Sequence, residues 1–131
     1  MFLAACEGIK RGLSDFLLLG GTGGRLDHTL ANLALLCELA ETGVTATMVD
    51  GQNSVRLLLP GEYVLCGDGY EKISIFSYTE RCTGVCFSGV EYPLEQATLT
   101  NTFPLGVSNE QVGDVSLSFS SGRLVLVFSK D

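Results

Sequence analysis

Positive charge is scarce in this sequence. Lysine and arginine together number eight against fifteen acidic residues, giving a net charge of −7. Nucleic-acid binding needs clustered basic side chains to replace the counterions of a phosphate backbone, and here they are scattered, so that class is disfavoured. The acidity does not forbid a small phosphate ligand, which needs only a few local donors. No apolar run approaches the ~18–20 residues that a membrane-spanning helix requires. His28 is the only histidine, and no second cysteine pair or nearby histidine completes a zinc set around Cys82 and Cys86. The five cysteines (Cys6, Cys37, Cys66, Cys82, Cys86) are odd in number and follow no signal peptide. Free thiols in a reducing cytoplasm are the expectation.

What is present suits a folded chain. Hydrophobic residues make up 46% and charged residues 18% of 131 positions, enough for a packed core and against disorder. The length fits one ordinary domain or two small ones. Sixteen glycines point to many turns, and so to many strands.

The pattern changes near residue 50. Residues 2–11 predict a helix closed by Gly12. Phe16-Leu17-Leu18-Leu19 is a short continuous apolar run and predicts a strand buried on both faces. After the break at Gly20 to Gly24, Asp27 is placed to cap a helix from about His28 to Glu41, apolar nearly all round and so covered on most sides. Val44 to Val49 is the next strand. Strand, helix, strand is a parallel crossover unit. Two parallel strands do not make a stable sheet, so further strands upstream or from another chain are expected, and an exposed side would invite aggregation. The alternative is a small α+β domain in which these strands join the later ones. From Ser54 on, period-2 alternation dominates. Val115, Leu117 and Phe119 alternate with Ser116, Ser118 and Ser120, and roughly seven short strands separated by turn residues predict a sandwich or barrel. The fold expected is therefore α+β: an α/β segment over residues 1–50, truncated to a parallel β-α-β unit, then an antiparallel β-sandwich or barrel over residues 51–131.

One loop carries chemistry. Gly20-Gly21-Thr22-Gly23-Gly24-Arg25-Leu26-Asp27-His28 joins a strand to a helix. Backbone N–H groups there point outward beside the positive end of the helix, and Gly23 and Gly24 let a phosphate approach them. Arg25 adds a planar fork suited to phosphate oxygens. The loop is neither a P-loop, since Arg25 and Leu26 follow Gly24, nor a dinucleotide fingerprint, since Leu26 stands where its third glycine belongs. A tight turn without a ligand, with Arg25 and Asp27 as a surface pair, is the competing reading.

Gly23-Gly24-Arg25-Leu26-Asp27-His28-Thr29-Leu30-Ala31-Asn32-Leu33 resembles the signature of the thiamine pyrophosphokinase family. The resemblance continues through Ser74 to Ser77, Gly84 to Phe87, Gly89-Val90-Glu91-Tyr92-Pro93-Leu94, Gly106-Val107-Ser108-Asn109-Glu110 and Ser129-Lys130-Asp131, and so covers nearly the whole chain. It implies an α/β nucleotide domain followed by a β-sandwich. The implied reaction moves pyrophosphate from ATP to the hydroxyl of thiamine, giving thiamine diphosphate and AMP. It further implies Mg²⁺ and a homodimer, with thiamine held between the α/β domain of one subunit and the β domain of the other. The acidic motifs that the family carries upstream of the Gly-Gly-Arg loop have no counterpart in residues 1–19, whose only acids are Glu7 and Asp15. A missing N-terminal α/β part is therefore expected, and autonomous catalysis is in question.

The resemblance assigns roles. Arg25 would hold phosphate oxygens, with Gly23, Gly24, His28 and Asn32 around the ATP phosphates. Asp27 would bind Mg²⁺ or orient the attacking hydroxyl, or serve as the helix cap. Tyr92, extended because Pro93 follows, offers a flat face to thiamine, which is both cationic and aromatic. Ser108 and Asn109, in a loop after Gly106, would hydrogen-bond the aminopyrimidine edge, or each other's turn. Ser74 and Ser77 point to opposite strand faces, so one at most meets a ligand. Two further functions compete: a catalytically incomplete β-sandwich fragment that only binds thiamine or dimerises, and a generic phosphate binder built on the loop.

Overall fold

The first helix stops where its sequence says it should. Gly12 takes a left-handed φ of +81° and its N–H reaches the carbonyl of Ile9 at 2.9 Å. All of residues 1–131 are described by the computed structural model. In chain order the elements are α1 (Phe2–Lys10), β1 (Asp15–Leu19), α2 (Leu26–Glu41), β2 (Thr45–Val49), β3 (Asn53–Leu58) and β4 (Gly61–Leu65). β5 (Lys72–Ser77), β6 (Arg81–Val90), β7 (Leu94–Thr100), β8 (Gly106–Asn109), β9 (Gln111–Phe119) and β10 (Leu124–Ser129) follow.

The strands form two sheets. One has six strands in the order β1-β2-β3-β10-β5-β8, and the other four in the order β4-β9-β6-β7. The parallel pair β1 and β2 forms as predicted, with Leu18 opposite Met48. β2 then pairs antiparallel with β3, Met48 opposite Val55. The strands of the α/β segment thus join the later ones, and the change of pattern at residue 50 falls on a turn within one continuous sheet.

That sheet has a core on each face, because successive residues of a strand point to opposite sides. On β10, Leu124, Leu126 and Phe128 pack between the two sheets, while Val125 faces the helices. The inter-sheet core centres on Phe87, Val85, Leu99, Leu117 and Ile75. The second core lies under α2, where Leu35, Leu36 and Leu39 meet Leu18, Met48 and Val55. α1 lies over β1 on this same face: Gly8 lies so close to Phe16 that an added Cβ would fall 2.5 Å from the ring. β9 follows its predicted alternation, with Val115, Leu117 and Phe119 buried and Ser116 and Ser120 exposed.

Two expectations are corrected. β1 is not buried on both faces: Leu17 and Leu19 are 65% and 69% exposed, because β1 is the edge of the sheet and the helices cover only the Phe16–Leu18 side. α2 is not covered on most sides either, since Leu30 stands free at 58% exposure and Ala31 and Ala34 are exposed as well. The residues from 51 on form eight strands, in line with the roughly seven expected. No helix is long and apolar enough to cross a membrane. All five cysteines are unpaired.

Candidate functional site

The loop after β1 is pinned in its first half and free in its second. Gly20 extends the sheet by one bond, its N–H donating to Val49 O at 3.2 Å. Gly21 lies against buried Met48, where a Cβ would come within 2.2 Å of Sδ. Asn32 Nδ2 donates to the Gly21 carbonyl at 2.9 Å. The Thr22 hydroxyl donates to the Asp50 carboxylate. Beyond that point the chain turns through Gly23 and Gly24, with φ of +93° and +71° and open space where a Cβ would stand. L residues rarely adopt that backbone, so these two positions need glycine for conformation while Gly21 needs it for space.

Arg25 and Asp27 meet over the first turn of α2. The guanidinium grips the carboxylate with both arms, Nε to Oδ1 at 3.1 Å and Nη2 to Oδ2 at 2.5 Å. Oδ1 also accepts the N–H of His28 at 3.0 Å. Asp27 is not the helix cap that its spacing predicts. α2 opens at Leu26 with Arg25 in the cap position and no side-chain cap bond. Asp27 lies inside the first turn, where a carboxylate favours the positive end of the helix. Both side chains are open to solvent, and exposed pairs of this kind are worth little and exchange partners readily. A hollow of about 420 Å³ lies against the loop, lined by Gly20, Gly21, Gly23, Arg25, His28 and Asn32 together with Met1. Of these, Asn32 has its amide nitrogen committed to the loop backbone, whereas Arg25 and His28 are free to turn outward.

Sequence reasoning missed Asp50, at the carboxyl end of β2. Besides Thr22, its carboxylate accepts the N–H groups of Gln52 and Asn53, each at 2.7 Å, and the Asn53 carboxamide at 3.1 Å. Burial works against its ionised form, but these donors outweigh it and hold the carboxyl below its usual range. Asp50-Gly51-Gln52-Asn53 after a strand is a legible Asx-type turn. The long-range bond to Thr22 is what makes it part of the site.

No group of three or more potential metal-ligating side chains gathers anywhere in the chain. Asp27 offers one carboxylate beside the loop, and that suits Mg²⁺, which is commonly held by one or two carboxylates plus substrate phosphates.

The lobe residues lie elsewhere. Ser108 and Asn109 are not in a loop but in β8, an edge strand made possible by Gly106, whose missing side chain lets it lie against Ile75. Ser108 takes a left-handed φ of +57°, its N–H donates to Ser74 Oγ at 2.9 Å, and its hydroxyl is at the surface. Asn109 is buried, 3% exposed, with its carboxamide turned onto the backbone of Tyr92. The Tyr92 ring stands out at 65% exposure. Ser77, like Ser74, is buried and bonded internally, to Thr79 O.

The two sets of residues are not brought together within one chain. Leu19, Val49, Ser54, Phe128, Ile73 and Asn109 form one row of paired residues across the six-stranded sheet. The loop leaves one end of that row and Asn109 ends the other. Five strand spacings of ~4.8 Å put them about 24 Å apart, beyond the reach of one vitamin-sized molecule.

Residues 64–124 match the thiamin pyrophosphokinase vitamin B1 binding domain. The chain is 33% identical over 116 residues to thiamine pyrophosphokinase of Bacillus subtilis, a match covering 87% of this chain and 54% of that protein. The crystal structure of thiamine pyrophosphokinase from Bacillus subtilis superimposes with a TM-score of 0.93 at 30% identity, covering 98% of this chain and 61% of that one. The structure from Geobacillus thermodenitrificans gives 0.87 at 30% identity, with 98% and 60% covered. The chain therefore spans only a little over half the length of the curated relative it matches.

Proposed function

We propose, the chain being a relative of the thiamine pyrophosphokinases, that it supplies two half-sites of a thiamine diphosphokinase: the diphosphate loop and the vitamin-binding lobe. The observation that carries the reading is their placement at opposite ends of one sheet row. A half-site that cannot be completed within a chain is completed by a second copy, so the active species is a homodimer, with the loop of one protomer facing the lobe of the other. The lobe presents the Tyr92 ring and Ser108 hydroxyl to thiamine. The loop presents the Gly23 and Gly24 amides, with Arg25 and His28, to the phosphates of ATP.

The thiamine hydroxyl oxygen attacks the β-phosphorus in line. The new O–P bond forms as the bond from the β-phosphorus to the oxygen bridging it to the α-phosphorus breaks, AMP leaves with that electron pair, and the hydroxyl proton passes to solvent. Such a transfer depends mainly on alignment and on neutralising spread-out charge. Arg25, released from Asp27, meets the phosphate oxygens. Asp27, released in turn, is free to hold Mg²⁺ or to orient the hydroxyl. Mg²⁺ held by Asp27 and the phosphates would supply further charge neutralisation. The remaining acidic ligands would come from a further α/β part packed on the bare edge of β1, where Leu17 and Leu19 offer an uncovered apolar face. Five unpaired cysteines fit a cytoplasmic setting.

A second reading is favoured by the lack of an acidic cluster: a catalytically incomplete fragment that binds thiamine or dimerises without turnover. AMP release from ATP, thiamine and Mg²⁺ separates the two. The enzyme reading expects AMP release that Arg25→Ala lowers by at least about 100-fold. Thermal stabilisation by thiamine with no AMP under any pairing with a relative's N-terminal part would overturn it in favour of the fragment.

A further inference from the structure

The carboxamide of Asn109 reads the backbone of Tyr92 as a neighbouring strand would. Its Oδ1 accepts the Tyr92 N–H at 2.9 Å and its Nδ2 donates to the Tyr92 carbonyl at 2.8 Å. Oδ1 also accepts the N–H of Glu110 at 3.2 Å. Every bond of the carboxamide thus ends on main chain. Tyr92 lies in the connection from β6 to β7, in the four-stranded sheet, whereas Asn109 closes β8, in the six-stranded one. The side chain therefore ties one sheet to the other at the corner where the Tyr92 ring emerges.

The inward aim of Asn109 is built into the strand. The pairing of β5 with β8 slips between Ile73 and Ile75: Asn109 lies opposite the first and Gly106 opposite the second. Two residues, Val107 and Ser108, thus face the single Ser74. This bulge forces Ser108 into its left-handed backbone, and Ser74 Oγ secures it. Bulges re-aim side chains. Here Asn109 turns into the protein and the Ser108 hydroxyl turns out.

We infer that Asn109 is a positioning residue and not a ligand contact. It fixes the Tyr92 main chain, so that the ring stands ready before any ligand arrives. The inference rests on the reading above in taking the Tyr92 ring to be what meets thiamine. A side chain that acts only through Tyr92 loses its effect once that ring is gone.

A double-mutant cycle on thiamine affinity, read beside ligand-free amide exchange, tests this. Asn109→Ala is expected to weaken thiamine binding about tenfold when Tyr92 is present and hardly at all in the Tyr92→Ala background. The ligand-free Tyr92 amide, protected in the parent, is expected to exchange at least about tenfold faster in Asn109→Ala. Asn109→Ser, which is neutral and polar but too short to span both Tyr92 backbone groups, serves with the same expected outcomes if the alanine variant does not fold. Losses that multiply in the double variant would show Asn109 touching the ligand itself. An unchanged Tyr92 amide would overturn the clamp. If the parent binds no thiamine, the vitamin reading falls, and amide exchange alone decides whether Asn109 holds Tyr92.

Discussion

At the scale of single residues, the loop glycines separate by mechanism. Gly21→Ala drives a methyl into buried Met48 and is expected to cost about 1–3 kcal/mol of stability. Gly24→Ala meets open space but strains a left-handed backbone, at about 1–2 kcal/mol. Denaturant midpoints test both, and tryptic nicking near Arg25 distinguishes them, since only Gly24→Ala should reshape the free half of the loop. Asp50 makes a pH prediction. Its folded pKa lies below the unfolded value, so its contribution is full above the unfolded pKa and vanishes as pH falls through the folded one. The stability gap between parent and Asp50→Asn should be widest near neutrality and close in acid. A gap independent of pH would mean that the charge of Asp50 plays no part. The exposed Arg25–Asp27 pair, the competing reading of the loop, was legible in sequence because loop, charge and helix start are all local. The turn at Asp50 is equally local, but its bond to the loop was not legible, because Thr22 lies 28 positions away.

At the scale of elements, alternation made most strands legible. Val115, Leu117 and Phe119 needed no more than a period of two. β7 reads poorly as an alternating strand, because its pairing with β6 shifts on either side of Val85 and Gln96 takes a φ of +46°. Each shift breaks the alternation a strand is read by. β8 escaped notice for the same reason at Ser108. α2 was legible in extent but not in cover, since an apolar helix sequence does not say which neighbours exist to bury it. Gly89 marks the bulge between β6 and β9 most sharply. A Cβ there would come within 2.0 Å of the Asp114 carbonyl oxygen, on a backbone with φ of +76°. Gly89→Ala is therefore expected to cost about 3 kcal/mol or more, read as a lowered midpoint with unchanged slope. Near-parent stability would mean that the bulge relaxes freely.

At the scale of the molecule, the fold class was legible and the seam was not. Composition and pattern change at residue 50, yet the hydrogen bonds run straight across. A fragment of residues 51–131 would lay bare the faces of Val55, Leu57 and Val125 that α2 and β2 now cover. It is expected to bind a hydrophobic dye and aggregate where the full chain does not; a soluble, cooperatively unfolding fragment would contradict this. The half-site arrangement adds a mixing experiment. If the proposed homodimer holds, and given a parent that turns over once the further α/β part is supplied, Arg25→Ala and Tyr92→Ala, each inactive alone, should together recover about a quarter of that turnover, since half the dimers would be mixed and each would hold one intact site. The sheet row that separates those half-sites also acts as a gauge block. Phe128 stands within it, two strands from Asn109, and its ring packs between the two sheets and against Tyr70. Trimming that ring would loosen the packing of one sheet on the other, and on the proposed reading a defect in turnover could then originate where no substrate ever goes.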